Sequence, residues 1–213
     1  MIIVIGGIKG GSGKTTISTN LAVIRSKTHD VLLIDADDQE TATDFTILRN
    51  EKIENGAGYT SIKLSGQAVR TEVKTLSTKY DDIIIDTGGR DTTSQRAALT
   101  VADILLVPFV PRSFDVWTVE KVSLLIEEIK TINSSLTAYV FINRADPSGQ
   151  DNSEAAETLK DIEGMIFIDK SLGTRKVFGN AAGNGMAVTE YKPEDIKATN
   201  EIMRLYRFVF NVK

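Results

Sequence analysis

Cysteine is absent from the 213 residues and histidine occurs once, at His29. These absences exclude disulfides, cysteine-ligated zinc and iron–sulfur clusters, and they leave little scope for imidazole catalysis or a histidine metal site. The lack of thiols also fits a cytoplasmic protein. No apolar run approaches the roughly 18 to 20 residues that span a bilayer, so integral membrane association is not expected. Residues Met1 to Gly7 begin the chain with apolar character but lack the basic flank and cleavage site of a signal peptide. Excess positive charge is missing too. The net charge of −4 argues against a globally basic nucleic-acid binder, although from Gly164 to Lys213 eight Lys or Arg stand against five Asp or Glu. A positive C-terminal segment on an acidic chain points toward an anionic partner.

What is present is ordinary for a soluble fold: 41% apolar and 25% charged residues, enough chain for one α/β domain over residues 1–213. Short apolar runs recur at Ile2–Ile5, Val31–Ile34, Ile83–Ile85, Ile104–Val110, Ala138–Asn143 and Met165–Ile168. Such runs, alternating with helical patterns, predict a P-loop NTPase type of α/β fold, a mostly parallel twisted sheet with helices on both faces. "YTSIKL" at Tyr59 adds a candidate edge strand. Ser113 to Asn133 reads as a helix with Asp115 as N-cap and an apolar stripe of Val119, Val122, Ile126 and Ile129. Pro193, Glu194 and Asp195 read as a helix start, and Ala198, Ile202, Leu205, Tyr206 and Val209 continue that helix toward the end.

"IKGGSGKTT", Ile8 to Thr16, carries the chemistry. Glycines let backbone N–H groups converge on phosphate oxygens, and the helix that follows adds its positive end. In the pattern G-x-x-x-x-G-K-[ST], Lys14 reaches the β- and γ-phosphates and Thr15 binds Mg²⁺, while Ile8 replaces the first glycine. Gly10, Gly11, Ser12, Gly13 and Thr16 complete the cradle for ATP. "IIID" places Asp86 at a strand end, where a carboxylate holds a Mg²⁺-bound water, and Gly89 lies where a backbone N–H can sense the γ-phosphate. "IDADDQ" offers Asp35, Asp37 and Asp38 near the same sheet edge, either to handle the attacking water or as a solvated turn.

"KGGSGKTT", "LLIDADDQ", "IIIDTGG", "ILLVPFVPRSFD" and "FINR" together resemble the ParA/MinD superfamily of deviant Walker A ATPases, most closely its compact, ParF-like plasmid partition members. The resemblance implies that Lys9 reaches across an ATP-dependent homodimer to the phosphates of the other subunit. It makes Lys9, Lys14 and Asp37 the catalytic set, with Asp38 standing where the family has proline. It assigns Asp35, with Thr15 and Asp86, to the metal, and Asn143 to the adenine base; Arg144 either stacks there or faces solvent. Pro108 and Pro111 would stiffen a connection near the dimer interface.

The same resemblance implies nonspecific DNA binding by the ATP dimer, nucleoid association in that state, and hydrolysis stimulated by a ParB-like centromere-binding partner. Arg175, Lys176 and Arg204 are the candidate phosphate contacts; Lys197, Arg204 and Arg207 read equally as a solvated helix face. Sequence-specific DNA binding is not expected, since no helix-turn-helix extension precedes the ATPase motifs. A MinD-like membrane ATPase is the nearest rival and would need a detachable amphipathic C-terminal helix. The unbroken stripe from Ala198 to Val209 predicts a docked one instead. Positioning of a protein cargo, or small-molecule chemistry on a related fold, remains open at this level.

Overall fold

Strands form where β-branched residues run together, and a computed structural model describes residues 1–111, 116–147 and 150–211. In chain order the elements are β1 (Ile2–Ile5), α1 (Lys14–Arg25), β2 (Val31–Ala36), α2 (Thr41–Lys52), β3 (Thr60–Lys63), α3 (Ala68–Leu76), β4 (Asp82–Thr87) and α4 (Thr93–Leu99). They continue with β5 (Ile104–Phe109), α5 (Val116–Lys130), β6 (Thr137–Ala145), α6 (Gln150–Lys160), β7 (Ile166–Phe167), β8 (Leu172–Gly173), α7 (Lys176–Ala182) and α8 (Ile196–Asn211). The strand order is β3-β2-β4-β1-β5-β6-β7, with β8 added beside the end of β6. Each of these pairings is parallel. This is the expected α/β architecture, and β3 is the expected edge strand.

Strand alternation divides the core between the two faces. Val4, Leu32, Ile34, Ile83, Ile85, Leu105 and Val107 pack with Val69 and Val73 of α3, Ala97 and Ala98 of α4, Val122, Ile126 and Ile129 of α5, and Leu159 of α6. Ile3, Ile5, Leu33, Ile84, Leu106 and Phe141 pack on the other face against Ile17 and Leu21 of α1 and Ala198, Ile202, Leu205 and Val209 of α8.

Three local expectations are refined. Asp195, not Pro193, marks the start of α8: its Oδ1 accepts from Ala198 N at 3.0 Å, which leaves Pro193 outside the helix. Asp115, the expected cap of α5, lies outside the described residues, and the described helix, Val116–Lys130, ends before the expected Asn133. Pro108, expected to stiffen a connection, lies within β5, which continues to Phe109. Gly6 N donates to Leu106 O at 3.0 Å, so Leu106 and, two residues on, Pro108 present their backbone polar groups toward the β1 side. There β1 has already ended at Ile5, and the missing N–H of proline has no partner to lose.

Docking of α8 is a packing statement with a measurable consequence. Leu205 is fully buried, so Leu205→Ala should lower the unfolding free energy by about 2–5 kcal/mol in urea titrations. A change near zero would mean that the helix contributes little to the cooperative unit.

Candidate nucleotide-binding site

The loop between β1 and α1 owes its path to glycine: Gly11 and Gly13 have φ of +74° and +90°. A side chain is also excluded at Gly13, where a Cβ would lie 2.3 Å from Asn143 Nδ2. The loop delivers the unpaired N–H groups of the first turn of α1 to a cleft of about 700 Å³, lined by Gly10, Gly11, Gly13, Lys14, Thr15, Thr16, Asp37, Gly88 and Gly89 among others. The sheet brings the remaining groups to the same rim. Parallel register sets Asp35 and Ile5 beside Asp86 on either side.

Asp86 is fully buried, with Oδ2 accepting from Thr15 Oγ1 at 2.6 Å and Oδ1 from Ser18 Oγ at 2.8 Å. Burial pushes its carboxyl up to about 7 against the pull of both hydroxyls, and nearby Asp35 adds to the rise. Lys14, also buried, donates from Nζ to Lys9 O at 3.0 Å. Burial draws its ammonium below the ordinary lysine range, opposed by the charges of Asp86 and then Asp37. A hydroxyl backed by a carboxylate suits a hard cation. Among the described residues no group of three or more His, Cys, Asp or Glu gathers to hold a metal.

Asp37 is half-buried on the cleft wall, its Oδ1 accepting from Gln39 N at 3.2 Å and standing 3.1 Å from where a Cβ on Gly88 would be. Gly89 touches the phosphate loop so closely that a Cβ would lie 2.5 Å from both N and Cα of Gly10. Only glycine permits that contact. Lys9 is half-buried within the loop, and its carbonyl also accepts from Ser12 Oγ at 3.4 Å. Asn143 lines a second pocket of about 320 Å³, with Leu172, Phe178 and Ile202 on its apolar side. Its Nδ2 donates to Ser12 O at 2.6 Å, tying the end of β6 to the phosphate loop.

Two of the expected site residues have other partners here. Asp35 was expected at the metal, but its carboxylate is fully buried and occupied locally. Oδ2 accepts from Thr43 N and Oγ1, each at 2.8 Å, and Oδ1 from Asp37 N at 3.1 Å. It fixes the turn into α2 and thereby places Asp37. Arg175 was expected as an outward DNA contact, but its Nε and Nη2 reach Glu201 Oε2 and Oε1 at 2.9 and 2.5 Å, and it lines the pocket of Asn143. Lys176 and Arg204 are exposed as a surface contact requires.

Sequence reasoning missed Ser18, Thr43 and Gln95. Ser18 had a signal, since four residues after Lys14 on a helix it shares a face with the phosphate loop. Gln95 had none: it is 1% exposed, and its Oε1 accepts from Gly7 N at 3.1 Å and Thr87 Oγ1 at 3.0 Å, while Nε2 has no partner.

The raised Asp86 carboxyl has a signed consequence. The folded state retains a proton that the unfolded chain releases near pH 4, so stability of the nucleotide-free protein should fall between about pH 4 and pH 7, by up to about 4 kcal/mol from this group. Asp86→Asn should flatten that slope in thermal unfolding across the same range. An unchanged slope would assign it to other carboxyls.

Known proteins place this geometry in context. The model of the CobQ/CobB/MinD/ParA nucleotide binding domain matches residues 3–188. Maintenance of carboxysome distribution protein A from Halothiobacillus neapolitanus is 23% identical over 205 residues, covering 95% of this chain and 93% of the relative. In fold, the chain is similar to McdA of Cyanothece in its ATP complex (TM-score 0.78, 18% identity, 100% and 96% of the two chains). It is also similar to a putative plasmid partition protein of Borrelia burgdorferi bound to AMPPNP (TM-score 0.77, 20% identity, 99% of each chain). With the family model spanning most of its length, the chain belongs to the CobQ/CobB/MinD/ParA family of nucleotide-binding domains.

Proposed function

We propose that this protein is a ParA-like, Mg²⁺-dependent ATPase whose ATP-bound homodimer binds DNA without sequence preference and whose hydrolysis, stimulated by a centromere-binding partner of ParB type, drives DNA segregation. The observation that carries the reading is the gathering of Lys14, Thr15, Asp86 and Asp37 around one cleft, with Lys9 in the loop that forms its floor. Phosphoryl transfer needs positioning and charge stabilisation more than covalent chemistry, and these groups provide both. In this reading Thr15, with Asp86 behind it, would hold Mg²⁺, which would supply positive charge against the phosphates. Asp37 orients the attacking water. Lys9 acts across the dimer, Gly89 senses the γ-phosphate, and Asn143 offers its Oδ1 to the amino group of adenine.

The DNA surface of this reading is α8 together with the start of α7. Lys197, Arg204 and Arg207 are exposed along α8, and Lys176 joins them from α7, while Glu201 of the same helix turns inward to Arg175. A two-fold dimer would double this patch. A second reading, positioning of a protein compartment by the same ATP cycle, is favoured by the carboxysome-distribution relatives, which cover 95% and 89% of the chain.

Co-sedimentation with a labelled nonspecific duplex in ATP·Mg²⁺, ADP·Mg²⁺ and no nucleotide tests the scheme. DNA should co-migrate with dimer only in ATP, and Asp37→Ala should prolong that state by slowing hydrolysis. Lys14→Ala should abolish nucleotide binding, and Lys9→Ala should keep binding but lose the dimer. The double variant Arg204→Ala/Arg207→Ala should release DNA, most visibly at raised salt. A dimer indifferent to DNA moves the reading to protein cargo; normal turnover by Asp37→Ala refutes its catalytic role.

A further inference from the structure

Arg144 sits where the backbone should prefer glycine. Its φ is +54°, left-handed for a residue with a Cβ, and Arg144 and Glu40 are the non-glycine residues with this feature among those described. The cause is a β-bulge. Asn143 pairs with Leu172 and Ala145 with Gly173, so Arg144 is the extra residue on β6 with no counterpart on β8. Thr174 fastens the bulge, its Oγ1 donating to Arg144 O at 2.8 Å and its N to Ala145 O at 3.0 Å. A bulge of this kind re-aims one side chain, and backbone held in such a conformation points to a use for the side chain it carries.

The place it aims at is specific. Arg144 lines both the phosphate cleft and the pocket of Asn143, and the residues common to the two are Gly13, Thr16 and Arg144. These three form the waist between the pockets. Gly13 and Thr16 supply the left-handed turn and first-turn N–H groups of α1, and Arg144 completes the lining. Arg144 is exposed. Arg175, the neighbouring cation of the same pocket, is already neutralised by Glu201.

We propose that Arg144 is a nucleotide-binding residue: the bulge at the end of β6 holds its guanidinium over the waist joining base pocket and phosphate cleft, where it pairs with the innermost phosphate of a bound nucleoside di- or triphosphate. This rests on the reading of the cleft as a nucleotide site. Within that reading Lys14 serves the outer phosphates, and Arg144 adds positive charge at the inner one. A planar guanidinium can donate two parallel N–H bonds to its oxygens. Because the inner phosphate is common to ADP and ATP, Arg144 contributes equally to both, unlike a group that senses the γ-phosphate.

The test is calorimetric titration of ADP and the slowly hydrolysed AMPPNP into the full chain and its Arg144→Gly, Arg144→Ala and Arg144→Lys variants, with thermal unfolding of each nucleotide-free protein. Arg144→Gly removes the side chain and relieves the backbone, so its affinity for both nucleotides should fall roughly ten- to a hundredfold while its unfolding midpoint stays equal or rises. Arg144→Lys should recover part of the affinity. Affinities within about twofold of the parent, loss for AMPPNP alone, or a lowered midpoint in Arg144→Gly would each overturn the assignment. If the parent binds nucleotide and Lys14→Ala does not, such a result removes Arg144 from the site and leaves the site standing. A parent that binds neither nucleotide removes both.

Discussion

A carboxylate with no access to water organises the site. Asp86 is desolvated at the end of a central strand, and an isolated charge there is unfavourable unless hydrogen bonds and a cation answer it. Thr15 and Ser18 supply the bonds from one face of α1, and Lys14 the nearby positive charge. The same contacts therefore orient α1 against β4. The raised carboxyl expresses the imbalance that remains between burial, which opposes the charge, and the two hydroxyls and Lys14, which favour it.

Around that carboxylate, backbone contacts do what side chains cannot. Gly89 against Gly10 and Gly13 against Asn143 are approaches that any Cβ would block. They join three loops from the ends of β1, β4 and β6 into one surface. Gln95 closes the set from behind, linking the start of α4 to Gly7 and Thr87 through a single carbonyl oxygen. A displacement of the Gly88–Thr92 segment thus acts on the phosphate loop through two routes, one across the cleft face and one through the core. This is the connectivity expected of a nucleotide-sensing fold, where small shifts are transmitted because packed contacts cannot deform continuously.

The second half of the chain is built on charge placed after packing. The apolar stripe of α8 lies on the sheet, so its basic residues necessarily face outward, with Glu201 as the acid that turns in. Packing, not the tally of charges in the segment, therefore makes the surface positive. It also explains why Arg175 lines the pocket of Asn143 although it lies among residues that read as a basic tail: the acid that neutralises it is 26 residues away in the chain.

Periodicity and local motifs determined much of this protein. Buried strands are legible because both faces of a parallel sheet are covered, so Ile2–Ile5, Val31–Ile34 and Ile83–Ile85 stand out as unbroken apolar runs. The phosphate loop is legible because its glycines and Lys14 act within a few residues of one another. Tertiary structure decided what depends on distant partners. Asp35 and Asp37 are equivalent acids in sequence, yet one is buried under Thr43 and the other faces the cleft. Gln95 and the bulge at Arg144 left no local trace, because the groups that define them come from other strands. Burial and hydrogen bonding across the sheet are collective properties, and no stretch of sequence contains both partners.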